Sequence, residues 1–165
     1  MRCFLGFGSN LNRERNLATG LQALGERLSV VRVSPVYQSS ALGFDGAPFF
    51  NFCVEVVLDR EIAELKKLLK EIEDHCGRDR SAPKYSSRTL DIDILWVGEC
   101  FGIFDGVPLP RQEVFDNSFV LKPLVDIAPE LSHPQKGCIA DLWANYEVSK
   151  MPITEVQSDF LEARV

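Results

Sequence analysis

The chain has 165 residues, of which 45% are hydrophobic, and a net charge of -6 at pH 7. That is enough chain to bury a core without disulfides or a structural metal, so a single domain over residues 1–165 is expected. The acidic balance excludes a general nucleic-acid or anionic-membrane binder, and no apolar run is long enough to span a bilayer.

Cys3 to Phe7 reads as a first strand, ending in the turn Gly8-Ser9-Asn10. Leu17, Leu21 and Leu24 recur at helical spacing, with Asn12 as a candidate N-cap and Gly25 near the end. Val30 to Val33 reads as a second strand. The segment from Val36 to Phe50, rich in Ser, Gly, Ala and Pro, reads as a long loop, and Phe52 to Leu58 as a third strand. Ile62, Leu65, Leu68, Leu69 and Ile72 make one apolar stripe of a second helix, stopped by Gly77. Thr89 to Val97 is a fourth strand.

The order strand, helix, strand, strand, helix, strand predicts an α+β fold. It is a ferredoxin-like βαββαβ core, with an antiparallel sheet and helices packed on one face of it. Turns and a short helix or two follow Gly98, and residues 150–165 are expected to be a loose tail.

The five cysteines are scattered, with no C-x-x-C pair, which suits free thiols in a reducing compartment. The two histidines, His75 and His133, lack a zinc-ligand spacing. The apolar run after Arg2 is broken by Ser9-Asn10, so no signal peptide is read and a cytoplasmic location is expected.

Arg88-Thr89-Leu90-Asp91-Ile92-Asp93-Ile94-Leu95 carries the chemistry. Alternation along a strand puts Asp91 and Asp93 on one face and Leu90, Ile92 and Ile94 on the other. Parallel anions repel unless a cation joins them, and hard divalent cations such as Mg²⁺ take such oxygen ligands together with substrate phosphates. The alternative is an Asp-x-Asp on a solvated sheet face. Just upstream, Arg78, Arg80, Lys84 and Arg88 form a basic loop, which suits a polyphosphate such as ATP or, alternatively, is a solvated charge run. Leu42, Phe44, Phe49 and Phe50, with Gly43 and Gly46, give the long loop either a cover for a planar aromatic ligand or pins into the core.

Together these residues resemble the hydroxymethyl-dihydropterin pyrophosphokinases of folate biosynthesis. The likeness rests on Gly8-Ser9-Asn10-Leu11, Pro48-x-x-Asn51, Gly77-Arg78-x-Arg80, Arg88-Thr89-Leu90-Asp91-Ile92-Asp93 and the stretch from Phe119 to Pro129. Of these, Arg-Thr-Leu-Asp-x-Asp is the specific element. The resemblance implies a ferredoxin-like core and transfer of pyrophosphate from ATP to the substrate's hydroxymethyl oxygen, with AMP released. It implies that Asp91 and Asp93 hold two Mg²⁺ ions and that Arg78 and Arg88 neutralise phosphate, Arg88 nearest the chemistry. For the pterin it implies a sandwich between Phe49 and Phe119, with Asn51 and groups around Ser39, Ser40 and Leu42 along its edge. For ATP it implies Lys70, Glu73, Arg80, Tyr85, Ile94 and Arg111. The partners implied are ATP and a pterin, with no nucleic acid and no membrane, and a monomer or weak homodimer.

Three positions depart from the family pattern. Leu109-Pro110-Arg111 has a permanent cation where the family has histidine, Asn117 stands where an arginine reaches the triphosphate, and Tyr85 replaces a tryptophan. Loss of one charge-assisted bond costs about 1.5–3 kcal/mol. These departures leave a second reading, a catalytically impaired paralogue that binds a pterin or nucleotide as a sensor or partner protein. A ferredoxin-like RNA-binding module would need exposed aromatics on central strands and a basic surface, and the sequence offers neither.

Overall fold

The computed structural model describes residues 1–162. Its first strand, β1 (Arg2–Ser9), alternates Cys3, Leu5 and Phe7 toward one core with Phe4 toward another. Helix α1 (Arg13–Gly25) follows and buries Leu17, Leu21 and Leu24. Asn12 stands at its N-cap position in the left-handed region (φ 44), where its carbonyl accepts from Asn16 N at 2.9 Å while its side chain makes no capping bond. Gly20 lets Leu90 approach the helix, because a Cβ there would meet Leu90 Cδ2 at 2.6 Å and that side chain would have to shift.

Strands β2 (Val30–Val33), β3 (Val36–Ser39) and β4 (Phe49–Val57) come next, then helix α2 (Ile62–His75) and β5 (Asp91–Val97). All pairings are antiparallel, with β1 between β4 and β5 and with β2 and β3 lying in succession along the other side of β4. The ferredoxin-like βαββαβ core expected from the sequence is therefore present. The long loop is shorter than expected. Tyr37–Ser39 pair with Phe49–Asn51, leaving 40–48 as the connection. Flanking Pro35 and Ser40 disguise a strand that its pairings with β4 and a later strand define.

Helices cover both sheet faces, not one. Leu17, Leu21, Leu65 and Leu69 of α1 and α2 pack against Leu5, Phe7, Val54, Ile92 and Ile94. The chain after Gly98 supplies the second layer. It runs through the hairpin β6 (Gly102–Phe104) and β7 (Val107–Leu109), then α3 (Glu113–Asp116) and α4 (Ser118–Ile127). Next come the short pair β8 (Ser132–His133) and β9 (Gly137–Cys138), and α5 (Ile139–Ala144). Leu121, Leu124 and Ile127 of α4 close over Phe4, Cys53, Leu95 and Trp96. Each fully buried side chain of this kind contributes about 1.5–3 kcal/mol.

The expected loose tail is ordered in its described part. A single 3₁₀ turn (Val148–Lys150) leads into β10 (Ile153–Val156), which pairs with β3 along Val36 to Ser39. In α6 (Asp159–Glu162), Leu161 is buried in the core, and the helix packs on α1. Residues 163–165 lie outside the described chain. No helix among the described residues is long and apolar enough to cross a membrane.

Candidate active site

The two carboxylates of β5 point away from α1 and α2, over the half of β1 that lacks side chains. Gly6 pairs with Asp93 and Gly8 with Asp91, so the floor between them is bare backbone. A Cβ on Gly6 would press on Leu95 at 3.2 Å, and one on Gly8 would lie 3.5 Å from Asn51 Oδ1. Above this floor is a cleft of about 400 Å³, walled by Phe49 and Asn51 of β4, by Phe119, Val120 and Pro123 of α4, and by both neighbouring loops. A second groove of about 320 Å³ lies beyond β5, lined by Lys66, Lys70, Glu73, Arg80, Ile94 and Val107. The two cavities share Arg78, Asp91, Asp93 and Arg111, so the acid pair sits at their junction.

All the site residues expected from the sequence line one cavity or the other. Ser39, Ser40, Leu42, Phe49, Asn51, Phe119, Tyr85 and Arg88 line the cleft, while Lys70, Glu73, Arg80 and Ile94 line the groove. Asn51 is buried, and its Nδ2 donates to Tyr37 O at 3.1 Å and to Ser39 Oγ at 2.9 Å. Both amide hydrogens are thus spent, and Oδ1 is left to accept from a ligand. On α4, Asp126 accepts from the Tyr37 hydroxyl and from Lys122 Nζ, tying β3 to the helix that carries Phe119.

The cations have distinct holds. Arg78 Nη1 donates to Asp91 Oδ1 at 2.9 Å and to Leu90 O at 3.2 Å. Arg80 bonds Glu73 at 3.0 Å, Asp74 at 2.9 Å and the Lys70 carbonyl at 3.1 Å. Arg88 folds back on its own loop, donating to the Ser86 hydroxyl and to the carbonyls of Pro83 (3.0 Å) and Lys84 (2.6 Å). It touches neither carboxylate. Arg111 Nη2 lies 3.5 Å from Asp93 Oδ1, and its Nε lies 3.2 Å from Glu113 Oε2.

Glu73 acts as a clamp between helix and strand. Its Oε2 accepts from the buried Ile92 N at 2.8 Å, and burial pushes its carboxyl above the ordinary range against the pull of that bond and of Arg80. Asp93 is also pushed up, first by burial and then by the charge of Asp91, with Arg111 opposing. Burial and the neighbouring Asp91 thus disfavour the ionised Asp93, and a divalent cation would reverse that balance. Among the described residues no group of three or more His, Cys, Asp or Glu could hold a metal alone. Two carboxylates with open space beside them fit Mg²⁺, which binds through one or two carboxylates and completes its shell with substrate phosphate and water.

Several residues of the site escaped the sequence reading. Asn10 Nδ2 donates to Ala47 O at 2.9 Å and Ser87 Oγ at 3.2 Å, and its Oδ1 accepts from Arg88 N at 2.7 Å, so one side chain joins both loops. Its signal was a polar turn straight after an apolar strand. Gly6 and Gly8 carried a signal in their two-residue spacing on one strand face. Glu113 stands two residues after Arg111, but a charge pair at that spacing carries no signal of a site without the fold that sets both beside Asp93. Asn117, by contrast, is buried where α3 meets α4, with its carbonyl accepting from Val120 and Leu121.

The description 7,8-dihydro-6-hydroxymethylpterin-pyrophosphokinase matches residues 4–129 of the chain. The chain belongs to that family. It is 36% identical over 148 residues to the 2-amino-4-hydroxy-6-hydroxymethyldihydropteridine pyrophosphokinase of Pseudomonas aeruginosa, covering 87% of this chain and 90% of that protein. To the folate synthesis bifunctional protein of Arabidopsis thaliana it is 33% identical over 126 residues, 74% of this chain but 26% of that one. Against the folic acid synthesis protein of Dictyostelium discoideum it likewise spans 20% of the relative's length. The Plasmodium falciparum HPPK-DHPS crystal structure superposes with a TM-score of 0.69 at 16% identity, over 90% of this chain and 44% of that one, and shares the fold. The family match itself ends at residue 129, before α5 and β10.

Proposed function

We propose that the chain is a Mg²⁺-dependent pyrophosphokinase of folate biosynthesis. It moves the terminal pyrophosphate of ATP to the hydroxymethyl oxygen of 6-hydroxymethyl-7,8-dihydropterin and releases AMP. The observation that carries this reading is the meeting of two unlike cavities at Asp91 and Asp93. The cleft offers the rings of Phe49 and Phe119 and the acceptor Asn51 Oδ1, which suit a planar heterocycle with an amide-like edge. The groove offers Lys66, Lys70 and Arg80 beside apolar Ile94 and Val107, which suit a nucleotide.

In this reading Asp91 and Asp93 hold two Mg²⁺ ions, and the groups around Ser39, Ser40 and Leu42 complete the pterin edge. Held there, the ions would supply positive charge against that carried by the phosphate oxygens during transfer. The hydroxyl oxygen bonds to that phosphorus as the bond to the oxygen shared with the α-phosphate breaks. AMP leaves with that oxygen, and the hydroxyl proton passes to solvent. Arg78, fixed on Asp91, neutralises the phosphates from below. Arg88 reaches them by exchanging its loop carbonyls for phosphate oxygens, and Tyr85, exposed over Gly43, closes over the ligand. No feature of the site favours a binding-only paralogue, since the acid pair and Arg78 are in place.

Nucleotide chromatography after incubation with ATP, Mg²⁺ and 6-hydroxymethyl-7,8-dihydropterin tests the assignment. AMP is expected from the native chain and none from an Asp91→Ala, Asp93→Ala variant. Formation of ADP would replace pyrophosphoryl by phosphoryl transfer, and absence of any product would overturn the assignment.

A further inference from the structure

Arg111 is held unlike the other arginines of the junction. Arg78 has three acceptors around Nη1, counting Glu73 Oε2 at 3.6 Å, and its side chain is 15% exposed. Arg111 has only longer contacts, 3.5 Å to Asp93 and 3.2 Å to Glu113, and is 33% exposed. Its backbone is nonetheless fixed, with N donating to Leu95 O at 2.9 Å and its carbonyl accepting from Val114 N at 3.1 Å. A guanidinium on an anchored backbone, with loose side-chain contacts and an open cavity on either side, can swing without disturbing the fold.

We propose that Arg111 is the exchangeable counter-cation of Asp93. It neutralises that carboxylate while no metal is present, and it moves to the triphosphate when a nucleotide arrives with a divalent ion. The inference rests on the metal and nucleotide reading of the junction given above. A divalent cation on Asp93 repels the Arg111 guanidinium and weakens its hold on that carboxylate, whereas phosphate oxygens give the guanidinium a bidentate partner to move to. Nucleotide and metal then assist each other through Arg111 as well as by direct coordination, a coupling that is reciprocal. Glu113 is a positioning residue. Its carboxylate lies 3.2 Å from Nε as an ion pair and so draws that end of the guanidinium away while Nη2 faces Asp93.

The probe is Mn²⁺, titrated into the full chain with free ion followed by electron paramagnetic resonance, with and without α,β-methylene-ATP. Without nucleotide, Arg111→Gln should bind Mn²⁺ about fivefold tighter than the native chain, the factor that one half-exposed ion pair is worth. The gain in Mn²⁺ affinity on adding the analogue should shrink by a similar factor. Lys84→Gln removes a charge from the same cleft, where Nζ lies 5.3 Å from the Tyr85 ring centre. It should leave Mn²⁺ binding without nucleotide within about twofold, as expected when no carboxylate partner is removed. An Arg111→Gln variant no tighter than native, or an equal effect of Lys84→Gln, would overturn the inference while leaving the metal site standing. Failure of the native chain to bind Mn²⁺ even with the analogue would overturn both.

Discussion

Asp93 shows at the level of one residue how the site trades stability for chemistry. Its carboxylate is pushed toward the neutral form by burial and by Asp91, and only Arg111 opposes this. An Asp93→Asn variant should therefore melt at the same or a higher temperature than the native chain, because an uncharged isostere removes the repulsion. Its turnover should fall about 10²–10³-fold, as when one preorganised electrostatic group is deleted from an active site. Thermal melts and AMP release measured on one preparation check both halves, and a variant that melts lower would mean that Arg111 more than offsets the repulsion. The same residue was the most legible in the sequence. Two-residue spacing alone put Asp91 and Asp93 on one face, and the structure has both lining the same two cavities. Arg88 was legible as a cation but not in its resting contacts. Which carbonyls a flexible guanidinium satisfies is settled by the local course of a loop, and no pattern encodes that.

Among the elements, the two loops beside the cleft act as a unit through Asn10. That side chain holds Ala47 in one loop and Ser87 and Arg88 in the other, and Gly43 (φ 80) passes under Tyr85, where a Cβ would lie 3.1 Å from the ring. Asn10→Ala should lower stability by about 1–3 kcal/mol, since a buried side chain that makes three hydrogen bonds is removed. Limited proteolysis should then cut both the 40–48 and the 79–87 loops faster. Acceleration confined to one loop would show that Asn10 does not couple them. Helices and central strands were readable because their signals are local, such as the stripe from Ile62 to Ile72 and the stop at Gly77. Strand β3 was not, because Val36-Tyr37-Gln38-Ser39 is too short to show a period and is defined by neighbours distant in the chain. The same holds for β10, whose only strand partner among the described residues is β3.

For the molecule as a whole, the two cores share one sheet and leave two thiols without solvent. Burial pushes the Cys3 thiol up to about 12 and that of Cys53 well above its usual value. Well below pH 9 both thiols are neutral whether folded or unfolded, and their contribution is constant. From about pH 9 to about 12 Cys3 ionises first in the unfolded chain, so stability falls with rising pH by up to about 1.4 kcal/mol per unit, and Cys53 acts in the same direction. Denaturant titrations at pH 8 and 10 should show this fall, and a Cys3→Ala, Cys53→Ala variant should show a shallower one. An equal slope in the variant would assign the fall to other groups. The pairing of β10 with β3 has a meaning of a different kind. A strand whose outer backbone donors and acceptors are unmatched is a template for any extended chain, and β3 lies beside the cleft that Ser39 lines. By taking that edge, β10 becomes the terminal strand itself, so the open edge of the sheet lies one strand further from the cleft and an added chain would pair away from the cavity rather than at its wall.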